Sequence, residues 1–248
     1  MAKPPLQVAV FDIDGTIFRS SLLIELVEAL IQEGIFPPGA KRSYSDAYNR
    51  WIAREGNVKT GFSYYEYISK VVSAYEHHIR GVRRADVWKV AAKVLAFHRV
   101  RLYRYTRDLV QKLRRTHFLL AISHSPYEIV APFAKSLHFD KTYSMVYEVD
   151  SQVRFTGKVL YEATILNKAE TLRRAMKKNN LTLKNSVGVG DTESDIPFLK
   201  MVDRPVVFNP SMKLFRYARA HNWEVVVERK DVIYRFGQAK SQRLISNF

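Results

Sequence analysis

The sequence contains no cysteine among its 248 residues, which excludes disulfides, thiolate metal sites and a thiol nucleophile. Long hydrophobic runs are absent as well, because the most apolar helical stretch, residues 21–31, is interrupted by Glu25 and Glu28. Such a stretch is too polar to cross a bilayer. Residues 1–5 also lack the apolar core of a signal peptide. We therefore expect a soluble protein that lies in the cytoplasm.

Acidic residues are scarce: 24 Asp and Glu stand against 40 Lys and Arg, a formal net charge of +16. A field of this sign attracts phosphorylated metabolites, nucleic acid or anionic lipid. Most basic residues recur at helical spacing beside apolar ones, however, with acids such as Asp86, Asp108 and Glu170 among them. We interpret them as solvated helix faces. No specific nucleic-acid partner is expected.

The first apolar run, Leu6–Phe11, is rich in valine and predicts a buried parallel strand. From about residue 18 to residue 105, apolar side chains recur every three to four residues, which predicts an insertion of about four helices with turns at residues 37–39 and 56–57. Strands and helices then alternate. The predicted strands are 117–122, 142–149, 153–159, 186–189, 205–208 and 224–227, and the predicted helices are 126–137, 168–180 and 213–220.

This alternation predicts an α/β fold with a doubly wound parallel sheet, because right-handed crossovers place a helix between neighbouring parallel strands. We expect residues 1–17 and 106–236 to form the Rossmann-like core. Residues 18–105 would form an inserted, all-helical cap, and residues 237–248 a basic tail.

Four carboxylates follow predicted strands at the edge where open α/β sheets bind ligands. Asp12 and Asp14 follow the first strand, and Asp191 and Asp195 follow the strand that ends near Gly190. If these strands are neighbours, the negative charges converge and require a cation. Oxygen ligands without cysteine or paired histidine favour Mg²⁺ over Zn²⁺.

Two serines and a lysine stand beside these motifs. Ser123 directly follows a predicted strand, whereas Ser125 precedes Pro126 and Glu128 in the pattern of a capping box. We expect Ser125 to cap a helix and Ser123 to be free for a ligand. Lys168 stands in the first turn of a predicted helix, where the helix dipole disfavours a cation. This position indicates an anion nearby.

The ordered motifs are residues 12–16, Ser123 at the end of a hydrophobic strand, Lys168 within residues 167–170, and residues 190–195. Together they resemble the haloacid dehalogenase superfamily, specifically its phosphoserine-phosphatase-like branch, subfamily IB, with a helical cap. The resemblance extends to about residue 236. It implies a Mg²⁺-dependent phosphatase that acts on a small phosphorylated metabolite.

The resemblance also implies roles for individual residues. Asp12 would attack phosphorus to give an aspartyl-phosphate, and Asp14 would act as general acid and base. Mg²⁺ would be held by the Asp12 carboxylate, the main-chain carbonyl of Asp14 and Asp191. Ser123 and Lys168 would hold the phosphoryl oxygens.

Three further positions receive expectations from the same comparison. Backbone amides near Gly15 would help to bind phosphate, and Asp195 would orient the metal shell and Lys168. The phosphoserine phosphatases carry a glutamate nine residues after the nucleophile, where this chain has Ser21. Arg19 close by favours an anionic or polar leaving group. The tyrosines at positions 64, 65, 67 and 75 are interpreted as cap core.

Two alternatives remain open at this level. The same aspartyl-phosphate could pass its phosphoryl group to another acceptor, or the basic surface could serve a lipid-linked phosphate at an anionic membrane. The second alternative is a non-catalytic protein that binds a polyanion. A pure binder has no physical reason to keep Asp12, Asp14, Ser123, Lys168 and Asp191 together.

Overall fold

The computed structural model describes residues 4–53 and 62–237, and within them an eight-stranded sheet forms the centre of the molecule. Its strands are β1 (Leu6–Phe11), β2 (Phe118–Pro126), β3 (Lys141–Val149), β4 (Phe155–Leu160), β5 (Leu181–Gly190), β6 (Arg204–Phe208), β7 (Glu224–Arg229) and β8 (Val232–Phe236). The order across the sheet is β4-β3-β2-β1-β5-β6-β7-β8. All pairs are parallel except β3 with β4 and β7 with β8. The predicted α/β class and doubly wound parallel sheet are confirmed.

The helices cover both faces of this sheet. They are α1 (Leu22–Gln32), α2 (Arg42–Ile52), α3 (Phe62–His78), α4 (Arg84–Phe97), α5 (Arg104–Leu113), α6 (Tyr127–Ser136), α7 (Glu162–Leu166), α8 (Lys168–Asn179), α9 (Ile196–Leu199) and α10 (Met212–Ala220). Helices α1 to α4 lie in the chain between β1 and β2, where the sequence predicts the helical insertion.

Side-chain alternation along β1 explains the two layers. Val8 and Val10 join the cluster that packs under α8 and α10, whereas Ala9 and Phe11 join the cluster shared with the inserted helices. All four are fully buried. A strand buried on both faces reads as a continuous apolar run rather than an alternating one, which is the pattern of residues 6–11.

Several boundaries differ from the sequence prediction. The hairpin predicted around residue 150 is present, but β2 continues to Pro126 and pairs with Met145 of β3, which places Pro126 outside the helix. Strand β8, which pairs antiparallel with β7, is not predicted from the sequence. The predicted turn at residues 56–57 and the tail after residue 237 lie outside the described residues.

The connection from the inserted helices back to the sheet is short. Helix α5 begins at Arg104, whose backbone N–H donates to Glu228 Oε1 at the end of β7, and Tyr105 N–H donates to Glu228 Oε2. A buried carboxylate therefore caps the start of α5.

Across the described ranges, no helix combines the length and apolar character needed to span a membrane.

Candidate active site

The site lies where β1, β2 and β5 end. Strand β1 has β2 on one side and β5 on the other, so the chain reverses its direction of winding at β1. Open α/β sheets form a crevice at such a point. Asp12 and Asp191 directly follow β1 and β5, and Ser123 lies in the last part of β2, so the three residues are brought to one edge of the sheet although they are far apart in the sequence.

Three of the predicted carboxylates form what we call the acidic cluster: Asp12, Asp191 and Asp195. One oxygen of each lies within 4.8 Å of the others. Asp12 and Asp195 are buried, with relative exposures of 5% and 0%. Asp195 Oδ2 also accepts hydrogen bonds from the amides of Asp191 and Thr192, at 2.9 and 3.0 Å. These bonds fix the loop after β5.

Lys168 provides the positive charge. Its Nζ lies 2.5 Å from Asp12 Oδ1 and 2.5 Å from Asp195 Oδ1, and the side chain is 2% exposed. Lys168 is the first residue of α8, and Asn167 caps this helix by accepting a hydrogen bond from Glu170 N–H. The anions that the position of Lys168 indicates are thus the two aspartates.

Asp14 occupies a different environment from the acidic cluster. Its Oδ2 accepts hydrogen bonds from Ser123 Oγ and Ser125 Oγ, each at 2.8 Å. Its Oδ1 accepts from Leu22 N–H, the first residue of α1, at 2.5 Å. Ser21, the residue at the N-cap of α1, makes no side-chain cap. Asp14 therefore caps the first inserted helix from a distance, and a carboxylate at this end of a helix is favoured by the helix dipole.

The prediction that Ser125 caps α6 is wrong. Pro126 occupies the N-cap position and no side chain caps the helix. Glu128, predicted to complete the capping box, instead forms an ion pair with Arg84 at 2.8 Å. The reason is that β2 continues through residue 126, so Ser125 is still in extended backbone and its hydroxyl reaches Asp14. Ser123 has a further role, because its Oγ accepts a hydrogen bond from Ser125 N–H at 3.0 Å.

The electrostatics of the site are dominated by burial. Burial raises the pKa of Asp12 to about 7, with Lys168 opposing the rise and Asp195 and Asp14 adding to it. Burial, together with Asp12 and Asp195, raises the pKa of Asp191 well above its usual value. Burial opposes the charge of Lys168, but its two carboxylate partners hold the pKa above the usual value for lysine. With all three carboxylates ionised, the acidic cluster would carry more negative charge than one ammonium group neutralises, and the raised pKa values of Asp12 and Asp191 reflect this cost together with burial.

The pKa of Asp14 is raised by burial and lowered in part by its bonds from Leu22, Ser123 and Ser125. This carboxyl is thus placed in a buried position with three donors of its own. Pairs of acids whose surroundings differ in this way are suited to different roles in one reaction.

Two glycines permit the close approach of these groups. Gly15 has a φ of +75°, and a Cβ at this position would overlap Asp191 Oδ2. A Cβ at Gly190 would lie 2.6 Å from the Asp195 side chain. Gly15 N–H donates to the carbonyls of Phe18 and Ser20, so the predicted phosphate contact would require these bonds to be exchanged.

Arg19, predicted to contact the leaving group, and Ser21 lie in the segment between β1 and α1. Arg19 is exposed and its guanidinium lies 5.1 Å from the centre of the Tyr103 ring. Ser21 is buried at the N-cap of α1. The tyrosines interpreted as cap core divide into two groups: those at 67 and 75 are buried, whereas those at 64 and 65 are 42% and 70% exposed. The interpretation is wrong for the second pair because one face of α3 is open to solvent.

Two residues of the site are not identified from the sequence. Thr16 donates from Oγ1 to Asp191 Oδ1 at 3.2 Å and so links the loop after β1 to the loop after β5. His124 lies between the two serines, and its burial beside Lys168 lowers its pKa to about 4, which keeps it neutral. Thr16 belongs to the motif after the first strand, so its position was a usable signal.

The residues present fit a hard divalent cation. The acidic cluster supplies closely spaced carboxylate oxygens, the donor type that Mg²⁺ prefers. The excess of negative charge described above is the condition that a bound cation relieves. Asp12 and Asp191 would hold the ion, with Asp195 fixed behind them by Lys168 and two amides.

The sequence is similar to those of known proteins. The family model of the haloacid dehalogenase-like hydrolases matches residues 9–200. A protein of Streptomyces azureus named inhibition of morphological differentiation protein is 24% identical over 226 residues, which are 90% of this chain and 78% of that protein.

Solved structures share the fold. A protein with unknown function from Bordetella pertussis Tohama I has a TM-score of 0.67 at 19% identity, over 89% of this chain and 98% of that chain. A phosphoserine phosphatase described as a phospho-aspartyl intermediate analogue has a TM-score of 0.59 at 17% identity, over 92% and 95% of the two chains. A substrate-bound phosphoserine phosphatase has a TM-score of 0.57 at 17% identity, over 86% and 91%.

Proposed function

Because the chain belongs to the haloacid dehalogenase-like hydrolases, we propose that it hydrolyses a small phosphate monoester through an aspartyl-phosphate on Asp12. The family and fold anticipated from the motifs are confirmed by the family match and by the structural neighbours. One observation carries the proposal. Asp12 and Asp14 lie side by side in contrasting surroundings, one paired with an ammonium group and the other held by hydroxyl and amide donors.

In the first step an oxygen of Asp12 attacks phosphorus while the bond from phosphorus to the leaving oxygen breaks. The attack requires the ionised carboxylate. Burial opposes ionisation of Asp12, whereas Lys168 favours it. A bound Mg²⁺ would favour it further and would shield the approach of an anionic phosphate to an anionic nucleophile.

Asp14 supplies and removes the proton. Its raised pKa favours the protonated acid that donates to the leaving oxygen as that bond breaks. In the second step the ionised Asp14 accepts a proton from water, whose oxygen attacks phosphorus and breaks the bond to Asp12. Inorganic phosphate leaves and both aspartates return to their starting states.

The remaining residues hold groups in position. Lys168 touches Asp12 directly and would also contact a phosphoryl oxygen bound at that carboxylate. Ser123 would contact a second phosphoryl oxygen if its hydroxyl turned from Asp14. Asp195 holds both Lys168 and the loop after β5. Hydrogen-bond donors that are already in position before the reaction stabilise the negative charge of the transition state.

The substrate class is inferred from the proposed cap, from Arg19 and Ser21, and from the relatives. The division proposed from the sequence, a core of residues 1–17 and 106–236 and a cap of residues 18–105, would place helices over the site, where a lid excludes water. Arg19 would contact an anionic or polar leaving group. The structural neighbours described as phosphoserine phosphatases support a phosphate ester, and Ser21 argues for a leaving group other than serine. The cytoplasmic location stays a prediction from the sequence.

The direct test is hydrolysis of a generic aryl phosphate by the purified chain, with Mg²⁺ and with a chelator. We expect turnover only with the cation, and none from Asp12→Asn, whose carboxamide is a poor nucleophile. An alcohol acceptor added to the assay separates hydrolysis from transfer, because transfer would form a new ester in place of inorganic phosphate. Equal turnover by Asp12→Asn would refute the assignment of the nucleophile.

A further inference from the structure

A second pocket lies along the outer edge of β3, away from the acidic cluster. Strand β4 pairs with β3 only from Val146 onwards, so the edge of residues 141–144 is covered by α7 and α8 instead of a strand. The pocket between them has a volume of about 240 Å³. A water molecule occupies about 30 Å³ of the liquid. The pocket is therefore large enough for a small organic molecule. We call it the β3-edge pocket.

The lining of this pocket is basic. Lys141, Arg174 and Lys178 line it, and no Asp or Glu does. Within residues 4–53 and 62–237, none of the three has a carboxylate partner. By contrast, the neighbouring Arg173 forms an ion pair with Glu170 at 3.2 Å. The positive charge at the pocket is uncompensated, which favours an anion.

Aromatic rings accompany these cations. Lys141 Nζ lies 5.9 Å from the centre of the Tyr143 ring, and the Arg174 guanidinium lies 5.6 Å from that of Tyr161. Both tyrosines line the pocket. Its exposed lining is mainly apolar. A ligand here would meet flat apolar surface and positive charge together.

We propose that the β3-edge pocket binds a small organic anion, a carboxylate or phosphate attached to an aromatic or aliphatic body. Arg174, Lys178 and Lys141 hold the anionic group. The body lies against Tyr143 and the apolar lining. The pocket shares none of its lining with the acidic cluster, Asp14 or Lys168, so binding there does not depend on the proposed hydrolysis.

The test is calorimetric titration of the full chain with 2-naphthoate in a phosphate-free buffer, and the variants described below locate the site. We expect one saturable site on the wild-type chain. We expect the uncharged analogue 2-naphthalenemethanol to bind with an affinity at least about tenfold lower, because it lacks the charge-assisted bonds. Detection of only non-saturable heat with the wild-type chain would overturn the proposal.

A matched pair of variants locates the site. Arg174→Gln with Lys178→Gln removes two cations from the pocket. Arg173→Gln with Lys177→Gln removes the same charge from exposed positions of α8 that do not line it. We expect about a tenfold loss of affinity in the first variant and no more than about a twofold loss in the second, since solvent and salt screen distant charges. Equal losses in both would mean general attraction to the basic chain and would overturn the proposal.

Discussion

Replacement of Lys168 by methionine tests the charge balance of the site. The ammonium group is 2% exposed and lies 2.5 Å from both Asp12 and Asp195. Methionine keeps most of the side-chain volume and removes the charge. Breaking a buried ion pair from one side costs about 3–5 kcal/mol, because the remaining charge stays buried without compensation. For a chain of this size each kcal/mol moves the melting temperature by about 2–4 °C. A loss of about 6–20 °C follows.

The loss should depend on pH in a direction that the structure fixes. Asp12 already has a pKa raised to about 7, mainly by burial, and removal of Lys168 raises it further. When the pKa of a carboxyl group is higher in the folded state than in the unfolded state, the free energy of unfolding falls as the pH rises from the unfolded-state pKa to the folded-state pKa. At about pH 5.5 Asp12 is protonated in the variant, so part of the loss in unfolding free energy is avoided. At about pH 8, above the wild-type pKa of about 7, more of the cost is present in the variant, so the gap from the wild type widens with pH.

The assay is thermal unfolding followed by circular dichroism at these two pH values, with a chelator present. Lys177→Met is the control, because Lys177 lies on the same helix and is exposed. We expect the control to stay within about 1 °C of the wild type at both pH values, as is usual for exposed substitutions. A Lys168→Met variant that melts with the wild type at about pH 8 would refute the reasoning, as would a gap that narrows with rising pH.

The remaining predictions concern the neighbours of Lys168. Ser125→Ala should raise the pKa of Asp14, because one bond to the carboxylate is lost, and so move the alkaline limb of the pH dependence of kcat/KM, which reports the protonated acid, to higher pH. Ser123→Ala should do the same and also lower the free energy of unfolding by about 1–3 kcal/mol, since Ser125 N–H is left unpaired; equal stability of the two variants would contradict this. Gly15→Ala should cost at least about 1–2 kcal/mol for its positive φ and displace Asp191, seen as weaker Mg²⁺ affinity by calorimetry; unchanged affinity would contradict it. Mg²⁺ should raise the melting temperature of the wild-type chain near neutral pH and much less at about pH 5, where the raised pKa values of Asp12 and Asp191 let protons compete for these two carboxylates; a shift equal at both pH values would contradict a site built on them.

The sequence predicts the parts of the site that depend on strand order. Asp12 and Asp191 follow short, continuous apolar runs, and the carboxyl ends of neighbouring parallel strands must meet at one edge. Their closeness follows once the two strands are neighbours, a condition that the sequence leaves open and that the pairing of β1 with β5 satisfies. Lys168 is predicted because a cation in the first turn of a helix is disfavoured by the helix dipole. The structure explains its position by its two carboxylate partners.

The parts that were wrong depend on how far an element extends. Ser125, Pro126 and Glu128 match a local capping pattern, but pairing of Pro126 with β3 keeps the backbone extended, and Ser125 is drawn to Asp14. A local preference worth about 1 kcal/mol gives way to tertiary hydrogen bonds. The contact of Leu22 N–H with Asp14 has no side-chain signal at all, so no pattern of residue types reveals it.

The measurement that tests the central claim most directly is the location of the phosphoryl group during turnover. The wild-type chain with Mg²⁺ and an aryl phosphate is quenched in acid within one turnover, digested and analysed by mass spectrometry, with Asp12→Asn treated in parallel. The account predicts one phosphoryl group on the peptide that contains Asp12 in the wild-type chain and none in the variant. A phosphoryl group on another residue, or on the Asp12→Asn chain, would contradict it.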